Sequence, residues 1–298
     1  MTTDYIKMRD GTKIFVEYSI NSKFNTTLVY VHGGPGQGCW DFRYAALELS
    51  KLFNVIMFDQ RGALRSDEVD DSFTSNKLIE DIDDIREHFG IQKMVLCGHS
   101  YGGQLILRYA IKYPDYINSL IYICPSFNFK LSMRNVFELC LKELSNDTDI
   151  QIQESIKQCL KADDEKTYVR YLHEMPNAIR EKIYYSIGLT EQVKSANFTI
   201  FATEDDWKKG VTQQRKIFDE QDIYFDYTLK LQKITIPSLL IVGDHDPICC
   251  KQQQKEFLCN SNNEISVIRN AGHALYSENA EDFIKVVVSY LQRICSQT

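Results

Sequence analysis

The chain has 298 residues, of which 44% are hydrophobic and 25% charged, and its formal net charge is -7. That length buries a sizeable core, as one large domain or one domain with an insertion. The negative balance argues against a nucleic-acid partner, whose phosphates reward clustered Lys and Arg, and no run approaches the ~18 uninterrupted apolar residues of a membrane span.

The first residues, Met1 to Lys7, contain no apolar signal core, which points to the cytoplasm. Residues 4 to 8 and 13 to 20 alternate polar and apolar around Arg9-Asp10-Gly11-Thr12, so an antiparallel pair is expected first. Thr27 to Val31 is the next strand and runs into His32-Gly33-Gly34-Pro35-Gly36. Trp40 to Leu49 reads as a helix, and Asn54 to Phe58 as a strand ending at Asp59-Gln60-Arg61-Gly62. Leu78, Ile82, Ile85 and Phe89 make one apolar helical face closed by Gly90. Met94 to Cys97 is a buried strand, and Leu105, Ile106, Tyr109 and Ala110 recur at helical spacing up to Tyr113-Pro114. Ser119 to Cys124 is another strand. This alternation predicts an α/β fold, a mostly parallel central sheet with helices on both faces.

From 126 to 234 the rhythm breaks. The sequence is rich in charge and turns to helical periodicity, with one extended-looking piece near Phe198 to Phe201. Alternation resumes with a strand at Ile236 to Gly243, a helix over Lys251 to Leu258, a strand over Glu264 to Ile268 and a C-terminal amphipathic helix. Residues 1–125 and 235–298 therefore read as one catalytic domain, and 126–234 as a helical cap, or lid, inserted where strands end. The nine cysteines are scattered with no C-x-x-C pair. Reduced thiols fit that spacing better than zinc ligands or a disulfide scaffold, so no metal is expected.

The chemistry concentrates at Gly98-His99-Ser100-Tyr101-Gly102. A strand, a sharp turn carrying serine and a helix make a nucleophile elbow, and the flanking glycines let neighbouring backbone pass close. A serine hydroxyl is a weak nucleophile at neutral pH and needs a base oriented by an acid. In chain order these should follow the serine, after strand ends. Asp246, in Gly243-Asp244-His245-Asp246-Pro247, and His273, in Asn270-Ala271-Gly272-His273, fill those roles. Asp244 competes for the acid role; His99 and His245 read as turn residues. Oxyanion donors are expected from the backbone N–H groups of Tyr101 and Gly34.

These motifs resemble the α/β-hydrolases, and more narrowly the prolyl iminopeptidase branch: His32-Gly33-Gly34-Pro35-Gly36, Asp59-Gln60-Arg61-Gly62 with Ser66, the elbow, Gly243 to Pro247, and Gly272-His273. The resemblance implies release of an N-terminal residue, typically proline, through an acyl-enzyme and without a cofactor. Two positions depart from the family pattern: Leu64 stands where a glycine is common, and Pro247 where some members carry glutamate.

An aminopeptidase must pair a buried ammonium with a carboxylate. Glu174, Glu204, Asp205 and Asp206 are the candidates in the insertion, with Trp207, Phe198, Phe201 and the Tyr184-Tyr185 pair as candidate pocket walls. The plainer alternatives are a solvated surface, a helix N-cap at Thr203 to Asp206, and cap core for Trp207 and the Tyr184-Tyr185 pair. Asp163-Asp164-Glu165 reads as a solvated face. The expected protein is thus a serine hydrolase taking a small-molecule or short-peptide substrate. An aminopeptidase is the leading form. An esterase or lactonase with an apolar acyl pocket, and a non-catalytic binding protein on the same fold, are the alternatives.

Overall fold

The structure is a computed structural model; it describes residues 1–144, 150–186, 191, 195 and 202–296. Strands β3 (Thr27–Val31) and β4 (Asn54–Phe58) are buried at every residue, the signature of strands covered on both faces. They lie inside an eight-stranded sheet with β1 (Thr2–Lys7), β2 (Lys13–Ser19), β5 (Met94–His99), β6 (Ile117–Ile123), β7 (Ser238–Gly243) and β8 (Asn263–Ile268). The order is β1-β2-β4-β3-β5-β6-β7-β8. The expected hairpin supplies the antiparallel edge, and every pairing from β4 to β8 is parallel.

Alternate side chains of the sheet feed two cores. Val29, Val31, Ile56, Leu96 and Leu240 pack with helices α2 (Asn76–His88) and α3 (Tyr101–Lys112). Leu28, Tyr30, Met57, Ile121 and Ile241 pack on the other face, against α1 (Arg43–Leu49) and the C-terminal helix. Strand β6 starts two residues earlier than its apolar run suggests. Cys124, expected in that strand, lies just beyond it at φ +42°.

Between β6 and β7 the described residues form helices and turns: α4 (Phe129–Glu143), α5 (Ile150–Ala162), α6 (Glu165–Glu174), α7 (Asn177–Tyr184), α8 (Glu204–Asp219) and α9 (Thr228–Leu231). The extended piece expected near Phe198 to Phe201 lies outside the described residues. Asp164 caps α6, its side chain accepting from Thr167 N at 2.9 Å. Asp163 pairs with Lys130 and Arg134 and accepts from the Tyr168 hydroxyl. The supposed solvated face is thus a cap with a tethered turn. Phe137 stacks on Tyr168 at 5.6 Å, joining α4 to α6.

Helix α8 is fastened to the sheet domain. Buried Gln213 accepts from Gly36 N at 2.6 Å and donates to the Arg61 carbonyl, and Gln214 donates to the Pro35 carbonyl at 3.1 Å. After β7 come α10 (Lys251–Phe257), α11 (Leu275–Glu278) and α12 (Ala280–Cys295). Among the described residues no helix is long and apolar enough to cross a membrane.

Candidate active site

Ser100 sits at φ +51°, ψ −117° between the end of β5 and the start of α3. A side chain there is strained by about 1–3 kcal/mol, and such strain persists only when the surroundings impose it. They do: a Cβ on Gly102 would come within 2.2 Å of the Val31 carbonyl oxygen, and one on Gly98 within 2.5 Å of the Gly102 oxygen. The turn is held by Ser100 N donating to the Ile123 carbonyl at 2.9 Å and by Gly103 N donating to the Ser100 carbonyl at 3.0 Å.

The loop after β7 brings up Asp246 and the loop after β8 brings up His273. Asp246 Oδ1 accepts from His273 Nδ1 at 2.8 Å and from Ile248 N at 3.2 Å, while Oδ2 accepts from Cys249 N at 2.9 Å. The carboxylate is fully buried and acts only as an acceptor. It therefore fixes the proton on Nδ1 and leaves Nε2 as the base-competent nitrogen. Asp244 is engaged elsewhere, with His245 Nδ1 at 2.8 Å and Ala271 N at 3.2 Å, so it ties the loop together without reaching His273.

His99 props this histidine from behind. Its Nε2 lies 3.0 Å from the His273 carbonyl, the rings are 4.6 Å apart, and burial holds its pKa well below the usual imidazole range. The Tyr276 hydroxyl donates to Asp41 Oδ2 and stands 3.3 Å from His99 Nδ1.

The glycine loop is set by its neighbours. His32 Nδ1 meets the Gly33 carbonyl at 2.9 Å, and its Nε2 accepts from Gln60 N at 3.0 Å. Burial keeps that ring neutral. Asp59 accepts from Cys39 N at 2.9 Å and from Arg65 Nε at 2.6 Å. Arg61 bridges buried Asp81 and Asp10. The Asp59 to Gly62 motif is therefore scaffolding for the loop. Leu64, in the place of a glycine, is buried at φ +36°.

Ser100, His273, Gly34 and Tyr101 all line one cavity of about 420 Å³. Phe129, Met133, Leu172, Phe218, Ile223 and Ile248 supply apolar wall. The acids proposed from sequence to hold a substrate are not part of it, and neither is Trp207. Glu204 and Asp205 are 87% and 88% exposed and pair with Lys208. The reason is the capping box of α8: Thr203 accepts from Asp206 N, and the Asp206 carboxylate accepts from Thr203 N. First-turn acids complement the helix dipole there. Trp207 is 42% exposed, and Glu174 ends α6 facing solvent.

Two charged residues on the wall carried no sequence signal. Asp41 sits in a 3-10 turn over Cys39–Phe42, and Arg180 on α7. An acid in the first turn of a helix already has an explanation in the helix dipole, and an arginine on a cap helix reads as surface. The Asp41 pKa is raised to about 6, burial outweighing the Tyr276 hydroxyl and the nearby backbone N–H groups.

A family described as the alpha/beta hydrolase fold matches residues 26–280. The proline iminopeptidase of Saccharolobus solfataricus is 28% identical over 290 residues, covering 91% of this chain and 86% of that protein. The proline iminopeptidase of Heyndrickxia coagulans is 23% identical over 98% of this chain and 99% of its own length. The crystal structure of a proline iminopeptidase-related protein from Thermus thermophilus superposes with a TM-score of 0.74 at 20% identity, covering 98% of both chains. The chain belongs to the alpha/beta hydrolase fold family, and its resemblance within that family runs to the proline iminopeptidases.

Proposed function

We propose that Ser100, His273 and Asp246 form the catalytic triad of a serine aminopeptidase that releases N-terminal proline, or another small apolar residue, from short peptides. The observation that carries this reading is the strained Ser100 opening on the same cavity as His273, whose Nδ1 is fixed by Asp246. Ser100 Oγ attacks the carbonyl of the first residue while His273 Nε2 takes the hydroxyl proton. The tetrahedral oxyanion lies against the N–H groups of Gly34 and Tyr101. Its collapse breaks the peptide C–N bond, and His273 returns the proton to the departing amine. Water, deprotonated by the same histidine, then splits the acyl ester, freeing the amino acid and restoring Ser100. Residues 126–234 act as the cap that covers this site, with α8 as its fixed part.

The test is a matched panel for wild type and Ser100→Ala: proline, alanine and leucine arylamides, their N-blocked forms, and short p-nitrophenyl esters. Cleavage of free but not blocked prolyl arylamide, lost in the variant, supports the reading. Turnover of esters alone favours the second reading, an esterase or lactonase, for which the largely apolar cavity wall speaks.

A further inference from the structure

Among the described residues lining the cavity, Asp41 is the one carboxylate and Arg180 the one guanidinium, and neither has an ionic partner among the described residues. Asp41 Oδ2 takes a neutral donor, the Tyr276 hydroxyl, and its buried Oδ1 has no partner. Arg180 Nη2 donates to the Leu172 and Met175 carbonyls at 2.9 and 3.3 Å, and its buried Nε has no partner. They do not pair with one another.

Uncompensated charge in a desolvated wall is costly, so two such groups of opposite sign on one cavity call for a ligand carrying both complements. Both lie near the reacting centre. The His273 imidazole is close enough to lower the Asp41 pKa, and Arg180 acts in the same way on Tyr184, whose ring packs 5.5 Å from that of His273. One charge comes from the sheet domain and the other from the cap, so a substrate spanning the cavity meets both.

We propose that Asp41 receives the substrate's α-ammonium and Arg180 its terminal carboxylate, so that free dipeptides are the preferred substrates. This rests on the aminopeptidase reading and narrows it. Two residues span roughly 7 Å from end to end, and each further residue moves the carboxylate about 3.5 Å away from the guanidinium. A cavity of about 420 Å³ also lies in the range of small-molecule sites.

The experiment compares release of proline from prolyl-glycine, from its C-terminal amide and from prolyl-glycyl-glycine. Cyclopentanecarbonyl-glycine, which lacks the ammonium, is the fourth substrate. In wild type, amidation is expected to lower kcat/KM about ten- to hundredfold, the size of one lost charge-assisted contact. In Arg180→Gln the acid-to-amide ratio should collapse towards one, and Arg180→Lys should restore part of it. In Asp41→Asn the preference for prolyl-glycine over cyclopentanecarbonyl-glycine should collapse instead. Each ratio is taken within one protein, so a general loss of folded enzyme cancels. Equal kcat/KM for acid and amide in wild type, or an equal loss of both in Arg180→Gln, overturns the proposal. Cleavage of prolyl arylamide with indifference to the carboxylate sinks this inference alone; failure on every prolyl substrate sinks the aminopeptidase reading with it.

Discussion

Gly36 and Gly210 meet backbone to backbone. A Cβ on Gly36 would stand 2.1 Å from the Gly210 carbonyl oxygen, and one on Gly210 would stand 2.2 Å from that of Gly36. Gly210 lies inside α8, where glycine ordinarily costs about 1 kcal/mol relative to alanine. Gly210→Ala should therefore reverse the usual sign. It should lower the melting temperature, and by prising α8 from the loop that carries Gly34 it should lower kcat more than it raises KM. Thermal melting and steady-state kinetics on prolyl arylamide check both halves.

Ser100 gives a second prediction, in which stability and activity part. Ser100→Ala should abolish turnover while keeping the strained φ. Ser100→Gly should be equally inactive yet more stable by about 1 kcal/mol, because glycine occupies that backbone region without the Cβ penalty. Calorimetry of the two variants side by side reads the difference, and equal melting temperatures would remove strain from the account of the elbow.

The two aspartates of the β7 loop should separate cleanly. Asp246 accepts three N–H groups. An asparagine offers one acceptor oxygen, so in Asp246→Asn the histidine loses its acceptor or takes the wrong tautomer. A fall in kcat of about 10³–10⁴-fold is expected. Asp244→Asn breaks only loop contacts and should cost less than tenfold. Comparable losses in both would contradict the assignment of the acid.

Asp41 carries a pH dependence of stability. Its pKa in the fold is raised to about 6, above the ordinary carboxyl value, so the folded state holds this proton more tightly than the unfolded chain. The ionised form therefore costs stability above pH 6. That cost is relieved as pH falls through 6 towards 4. Asp41→Asn removes the charge and should be more stable than wild type at pH 8, by roughly 1–3 kcal/mol, with the advantage vanishing near pH 4. The groups facing Asp41 are Tyr276, Tyr185, Tyr30 and His273. Denaturant titrations of both proteins at the two pH values give the answer.

The sheet was legible because each strand is an apolar run stopped by glycine, proline or charge. Thr27–Val31 and Asn54–Phe58 fall where the sequence places them. Ser100, Asp246 and His273 are conspicuous for a related reason: each follows a strand end, and strand ends are local patterns. The cavity wall is not local. Asp41 and Arg180 stand 139 positions apart in the chain and share a cavity only because the tertiary fold brings α7 to the turn that carries Asp41. The acids at Glu204 and Asp205 attracted attention as a cluster, and that cluster is what a helix start requires.

The Tyr276 hydroxyl carries one proton, and both Asp41 and His99 Nδ1 are able to accept it. The His273 carbonyl can only accept, so the proton of neutral His99 resides on Nε2 and its Nδ1 is a bare lone pair. While Asp41 is ionised it claims the tyrosine proton, and the 3.3 Å gap to His99 Nδ1 is long for an O–H···N bond, as it should be with no proton in it. Protonating Asp41 reverses the chain: the carboxyl donates to the tyrosine oxygen, and the tyrosine proton swings to His99. The protonation of Asp41 is thereby written into the orientation of a single hydroxyl, which faces the residue next to Ser100 and lies one hydrogen bond away from the backbone of His273.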